Sequence, residues 1–255
     1  MCLILFAYRS HQDFPLILAA NRDEQYDRPT APAAFWQDSP EVLAGRDMKA
    51  GGSWLGITRQ GKFAAITNLR GGANTQADLI SRGHLVSDFL VSDVDPVDYC
   101  ESVVAKADRY NGFNLLIGDK NEFVYCNNDK ALEILTPGIY GLSNHKLNSP
   151  WPKVIRGKES LEKIIQKHSN TSPINNDQLL SILGDKSIAS DHELPNTGID
   201  IELERTLSPM FIESETYGTC LSTSIIINSS NQVQFKERSF YEAPFGDKSF
   251  SFIVD

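Results

Sequence analysis

The stretch Met1-Cys2-Leu3-Ile4-Leu5-Phe6-Ala7-Tyr8, followed after a polar gap by Leu16-Ile17-Leu18-Ala19-Ala20-Asn21-Arg22-Asp23-Glu24, decides the fold. Cys2 to Tyr8 and Leu16 to Ala20 are short β-prone runs. Ser10, His11, Gln12, Asp13 and Pro15 between them supply turn chemistry, so the pair reads as an N-terminal β-hairpin. Both runs are apolar on nearly every residue, the pattern of strands covered on both faces. Asn21, Arg22, Asp23 and Glu24 then read as a polar end to the second strand. If the two strands are antiparallel neighbours, the turn between positions 8 and 16 brings residue 22 or 23 close to residue 2.

Cys2 has two readings. As a small hydrophobe it is simply the first residue of a buried strand. If Met1 is removed, it carries a thiol and a free α-amine together, and an amine with a pKa of roughly 7.7 to 8 can act as general base for its own thiol. Arg22 and Asp23 give the second reading its use, since a guanidinium holds a thiolate and a carboxylate orients the amine. Asn68 and Asn144 follow apolar runs (Phe63 to Thr67, Ile139 to Ser143). Each is either a turn former or a donor of side-chain N–H to an oxyanion.

Outward from the hairpin, Ser53 to Thr58 and Lys62 to Asn68 form a second hairpin around Arg59, Gln60 and Gly61. Leu79, Val86, Phe89 and Leu90, after the polar stretch 74–78, have helical spacing, with Gly83 as a weak point. Asp95 as N-cap and Pro96 at the first turn start a better marked helix that places Cys100 in the core. Asn114 to Gly118, Glu122 to Asn127, Ala131 to Leu135 and Ile139 to Ser143 read as a β-meander, with Cys126 packed inside it. Helices follow over about Lys153 to His168 and around Leu179 to Leu183, then an irregular, acidic stretch from Asp185 to Thr219. Leu221 to Asn228 and Gln232 to Tyr241 form a last hairpin, with Ser249 to Val254 as an edge strand. Helices grouped between blocks of meandering strands indicate α+β, two sheets with helices outside, and a single domain over residues 1–255.

The bulk properties exclude several classes. A net charge of -9 without a Lys/Arg stripe argues against nucleic acid as a partner. The opening apolar run is too short for a signal peptide, no segment approaches about 18 uninterrupted apolar residues, and the expected location is cytoplasmic. Cys2, Cys100, Cys126 and Cys220 lie far apart without a C-x-x-C pair, so they are read as reduced thiols. The acceptor sequences at Asn170 and Asn228 matter only in a secreted chain. Gly56 to Lys62 matches the outline of a P-loop, but Phe63 replaces the Ser/Thr that holds magnesium. His11, His84, His145, His168 and His192 lack ligand spacing and no metal site is expected, although His145 beside Asn144 is singled out for ligand contact.

Several ordered motifs together carry a resemblance. Met1-Cys2, Ala20-Asn21-Arg22-Asp23-Glu24, Trp54-Leu55-Gly56, Thr67-Asn68-Leu69-Arg70, Ser81-Arg82-Gly83, Asn111-Gly112-Phe113-Asn114, Ser143-Asn144 with Pro150-Trp151-Pro152-Lys153, and Tyr217-Gly218-Thr219 resemble the NRDE family, also called the transport and Golgi organisation family. The resemblance runs from residue 1 to about 240. It implies an N-terminal nucleophile hydrolase fold, a four-layer αββα sandwich, akin to the penicillin V acylase and choloylglycine hydrolase group.

What it implies for the site is Cys2 as nucleophile, with Arg22, Asp23, Asn68 and Asn144 as catalytic partners. Asn21, Glu24, Trp54, Arg70, His145 and Thr219 become candidate substrate contacts. Cys220 stands where the family usually has Arg, and Arg22 and Asp23 are adjacent where the acylases separate theirs by two residues. The expected activity is hydrolysis, without a cofactor, of a small, partly hydrophobic amide. The alternative, from the family's links to lipid metabolism and haem trafficking, is a non-catalytic cytoplasmic carrier of haem or an acyl lipid.

Overall fold

The computed structural model describes residues 2–70, 76, 78–129, 131–168, 173–241 and 246–254. Met1, Asn170 and most of the polar stretch 74–78 lie outside the described residues. The chain divides into two compact units, Met1–Asp27 with Thr136–Phe252, and Arg28–Leu135 with Ile253–Asp255.

The first unit is built on a six-stranded sheet in the order β10-β1-β2-β11-β12-β13. Its strands are β1 (Cys2–His11), β2 (Phe14–Gln25), β10 (Gly138–Leu142), β11 (Tyr217–Ile227), β12 (Gln232–Ser239) and β13 (Gly246–Ile253). β1 and β2 are antiparallel neighbours, with Cys2 opposite Arg22 and Ile4 opposite Ala20. Helices α3 (Pro152–Gln166) and α4 (Asn176–Leu183) cover one face. Leu3, Leu5, Ala7, Ile17 and Ala19 pack there against Val154, Leu161, Leu179 and Leu183. Ile4, Phe6 and Leu18 on the opposite side of the same strands are buried too, as unbroken apolar runs require. α3 sits close because Gly157 has no side chain: a Cβ there would lie 2.6 Å from Leu5 Cδ1.

The second unit carries a seven-stranded sheet in sequence order from β3 to β9. These are β3 (Thr30–Phe35), β4 (Val42–Asp47), β5 (Leu55–Thr58), β6 (Phe63–Asn68), β7 (Phe113–Gly118), β8 (Phe123–Asn127) and β9 (Leu132–Ile134). α1 (Gly83–Val91) and α2 (Pro96–Val104) pack on it through Leu85, Val86, Phe89, Cys100 and Val103, against Ala44, Ala64, Leu115, Ile117, Val124 and Cys126. The Asp95 carboxylate accepts the Asp98 N–H at 3.0 Å, the cap expected of it. Cys100 and Cys126 are both fully buried in this core.

The fold departs from the sequence expectations at five places. β2 does not stop at Ala20 but continues through Gln25, because β1 pairs with it as far as Arg22, β11 pairs with it through Gln25, and Asn21 and Asp23 find buried partners. β10 leaves the meander and pairs with β1 in the other sheet, Ile4 opposite Leu142. β3 and β4 were not anticipated: Thr30–Phe35 carries Pro32, and its alanines give weak alternation. Within Asp185 to Thr219 a short helix α5 (Ile201–Leu207) forms behind an Asp200 cap. Gly83 opens α1 rather than weakening it. Its backbone meets Gly52 so closely that a Cβ at Gly52 would sit 2.4 Å from the Gly83 carbonyl carbon.

Candidate active site

The candidate residues of the first unit gather at one end of the β1–β2–β11 ladder. Cys2 and Arg22 are directly opposed across β1 and β2 and therefore share a face. Successive residues of a strand point to opposite faces. Asn21 and Asp23 accordingly turn to the side covered by the helices, and the adjacent pair Arg22-Asp23 divides its work between the two faces.

On the Cys2 side, Arg22 is buried, with one guanidinium nitrogen 3.9 Å from Glu24 Oε2. The chain bends at Ser143 and Asn144 immediately after β10, and the Ser143 hydroxyl donates to the Cys2 carbonyl at 3.2 Å. Asn144, wholly buried, accepts a hydrogen bond from Ser143 on Oδ1 at 3.3 Å. One end of β1 is thus held between Arg22 on β2 and the Ser143–Asn144 bend after β10. Burial pushes the Cys2 thiol above its ordinary value, and the Arg22 charge pulls the other way.

On the helix side, the polar groups are tied to main chain. Asn21 Nδ2 donates to the carbonyls of Leu183 at 3.0 Å and Met210 at 2.8 Å, while Ser222 donates to its Oδ1 at 2.5 Å. The Thr219 hydroxyl donates to Asp23 Oδ1 at 2.7 Å and accepts the Ile212 N–H at 2.9 Å. The Tyr217 hydroxyl donates to the Asp23 carbonyl at 3.0 Å. Burial raises the Asp23 carboxyl, opposed first by the positive charge of Lys153. Lys153 is itself buried, and its Nζ donates to Leu207 O at 2.9 Å.

Cys220 occupies a β-bulge: Thr219 lies opposite Asp23 and Leu221 opposite Arg22, so Cys220 is the extra residue between them. Its thiol donates toward Gly218 O at 3.5 Å and Glu24 O at 3.7 Å. Burial pushes its pKa up to about 11 against the pull of Arg22.

Of the residues singled out from sequence, Cys2, Asn21, Arg22, Asp23, Glu24, Asn144 and Thr219 come together in this unit. His145 is exposed; its Nδ1 lies 2.7 Å from Ser149 Oγ and its ring tilts against Trp151 at 5.8 Å. Asn68, Trp54 and Arg70 belong to the second unit. Asn68 ends β6 opposite Phe113, Trp54 packs against the helix-covered core, and Arg70 follows β6. Sequence reading missed Lys153, Ser143, Tyr217 and Ser222 as members of the network. The signal available was a lysine within an apolar helix face and hydroxyls alternating along an otherwise apolar strand.

Comparison with known proteins adds the family and confirms the fold. The family model described as Transport and Golgi organisation 2 matches residues 1–242. The Transport and Golgi organization 2 homolog of Mus musculus is 37% identical over 264 residues, covering 95% of this chain and 94% of its own. Among solved structures, penicillin V acylase from Agrobacterium tumefaciens superposes with a TM-score of 0.54 at 11% identity, covering 99% of this chain and 86% of the other. The mutant C2A of conjugated bile acid hydrolase from Clostridium perfringens gives 0.51 at 8% identity, covering 100% and 97%. The fold is that of the N-terminal nucleophile hydrolases, an α+β architecture with two antiparallel sheets. With a hairpin that opposes Cys2 to Arg22 and a matched region that takes in nearly all of the sequence, this chain belongs to the Transport and Golgi organisation 2 family.

Proposed function

We propose that the chain is a cysteine amidohydrolase of the N-terminal nucleophile type, acting on a small, partly hydrophobic amide after removal of Met1. The observation that carries this reading is the direct opposition of Cys2 and Arg22 at a strand end fastened to Ser143 and Asn144. Cys2 Sγ attacks the amide carbonyl carbon while its own α-amine takes the thiol proton. The C–N bond then breaks, that proton leaves with the departing amine, and water hydrolyses the thioester to release the acid and regenerate the thiol. Asn144 is assigned to the oxyanion and Asp23, tied to Thr219, to orientation of the α-amine. Acylases and bile acid hydrolases share this fold, which supports the amide as substrate class.

The test joins intact mass with labelling. Loss of Met1 and a single covalent adduct on Cys2 from an electrophilic amide or lactone analogue are expected, with release of amine from acyl-amide substrates. Retained Met1, or adducts confined to Cys100, Cys126 and Cys220, overturns the reading.

A second reading is the carriage of haem or an acyl lipid without turnover, which needs no activated nucleophile and so accommodates a Cys2 thiol that burial holds toward its neutral form. Haem titration of the native protein and Cys2→Ala tests the haem form, and an unchanged Soret band in both excludes it.

A further inference from the structure

At the tip of the β1–β2 hairpin, far along the strands from Cys2, the fold assembles residues that sequence spacing keeps apart. His11 ends β1 and Asp13 lies in the turn, while His168 stands just past the end of α3. One ligand atom from each falls within 4.8 Å of the others. Asp13 Oδ2 is 4.0 Å from His11 Nδ1 and 4.0 Å from His168 Nε2. Both distances are too long for a hydrogen bond. Tetrahedral zinc, with bonds of about 2.0 to 2.2 Å, sets its ligand atoms about 3.3 to 3.6 Å apart, so a side-chain shift of under about 1 Å brings Asp13 and each histidine to that span.

The two imidazoles are held in place by packing. The rings of His11 and His168 meet edge to face at 5.1 Å, and Phe14 touches both, at 5.3 Å from His11 and 5.0 Å from His168. His168 Nδ1 is buried without a hydrogen-bond partner, which leaves Nε2 as the nitrogen turned toward Asp13. The Asp13 N–H donates to His11 Nδ1 at 3.1 Å, so that nitrogen already presents its lone pair. The Asp13 carbonyl accepts the Ser229 N–H at 2.8 Å, which anchors the turn to the loop after β11.

We propose that His11, Asp13 and His168 form a binding site for a borderline divalent cation, zinc first, separate from the Cys2 end. Two imidazoles and a carboxylate are a ligand set such ions accept, and three protein ligands leave a position open to water. Asp13 is half-exposed and closes on the ion by side-chain rotation, while the ion replaces the Asp13 N–H as partner of the His11 Nδ1 lone pair and that N–H turns to water. The bound ion staples the hairpin tip to the end of α3.

The test is a calorimetric titration of the full chain with zinc, repeated with cobalt and read by absorbance. One ion per chain is expected, with cobalt bands of nitrogen and oxygen ligation and no thiolate charge transfer. His11→Gln, Asp13→Asn and His168→Gln should each weaken binding by about 100-fold or more, at least the cost of losing an outer-shell partner. Cys2→Ser should leave it unchanged, and zinc in large excess should raise Tm by several degrees in the native chain but not in the variants. If His168→Gln fails to fold, Asp13→Asn at the exposed turn carries the test. No binding, binding that survives all three substitutions, or binding lost with Cys2→Ser overturns the proposal. None of these results bears on the amidohydrolase reading.

Discussion

The two ends of the β1–β2 hairpin are built on opposite principles. At the Cys2 end, polar side chains are buried and nearly every one is bound to main chain: Asn21 to the Leu183 and Met210 carbonyls, Thr219 to the Ile212 N–H, Ser143 to the Cys2 carbonyl. At the tip, Asp13 stands 4.0 Å from both His11 and His168, partly in solvent, and the two histidines are held by ring packing. The first arrangement fixes geometry through groups that are costly to leave unpaired. The second leaves room that a ligand can close.

Asn21→Ala tests this contrast most severely. It strips two buried carbonyls of their donor and Ser222 of its acceptor, so a loss of roughly 2 to 4 kcal/mol is expected by denaturant unfolding. A loss below 1 kcal/mol would mean that the Cys2 end is as yielding as the tip. Thr219→Val removes the Asp23 contact and leaves the Ile212 N–H unsatisfied, with an expected cost of about 1 to 3 kcal/mol. Asn144→Ala should lower kcat by about 10² to 10³ in a turnover assay while leaving the fold intact by circular dichroism, if Asn144 serves the oxyanion.

Cys220 sharpens the comparison through pH. Its folded pKa is raised to about 11, so the neutral thiol is the form the fold favours. The stability it contributes is complete below about pH 8.5, the value of an unfolded thiol, and is lost as pH rises toward 11. Tm measured across this alkaline window should fall less steeply in Cys220→Ala than in the native chain. Smallest of all, Asp13→Ala without added metal should change stability by no more than about 0.5 kcal/mol, as for an ordinary surface site. A larger loss would show that the tip is held by its own charges.

The Cys2 end was legible in the sequence because its parts are local or carry strong patterns. Two apolar runs and a short turn fix the hairpin, and period-two alternation then fixes which residues oppose each other. Alternation also settles what the bare sequence left open, since Arg22 faces Cys2 and Asp23 turns to the helices. The extension of β2 through Gln25 was hidden because four polar residues resemble a strand end unless their partners on β11 and beyond α4 are known. β10 was misplaced for a related reason: a strand's pattern states that it pairs, not with which sheet. The tip was illegible altogether, because all of residues 28–135 lie between His11 and His168 in the chain and no spacing rule links them.

The first unit is discontinuous, and this orders events at the ribosome. Residues 28–135 hold all seven strands of their sheet and can complete it as soon as they emerge, with only Ile253–Asp255 of that unit still to come, whereas β1 and β2 wait for β10 and β11. At about 5 to 20 residues per second the nascent hairpin stays without its flanking strands for at least several seconds. Throughout that interval Cys2 lacks the Ser143 hydroxyl that holds its carbonyl in the finished sheet.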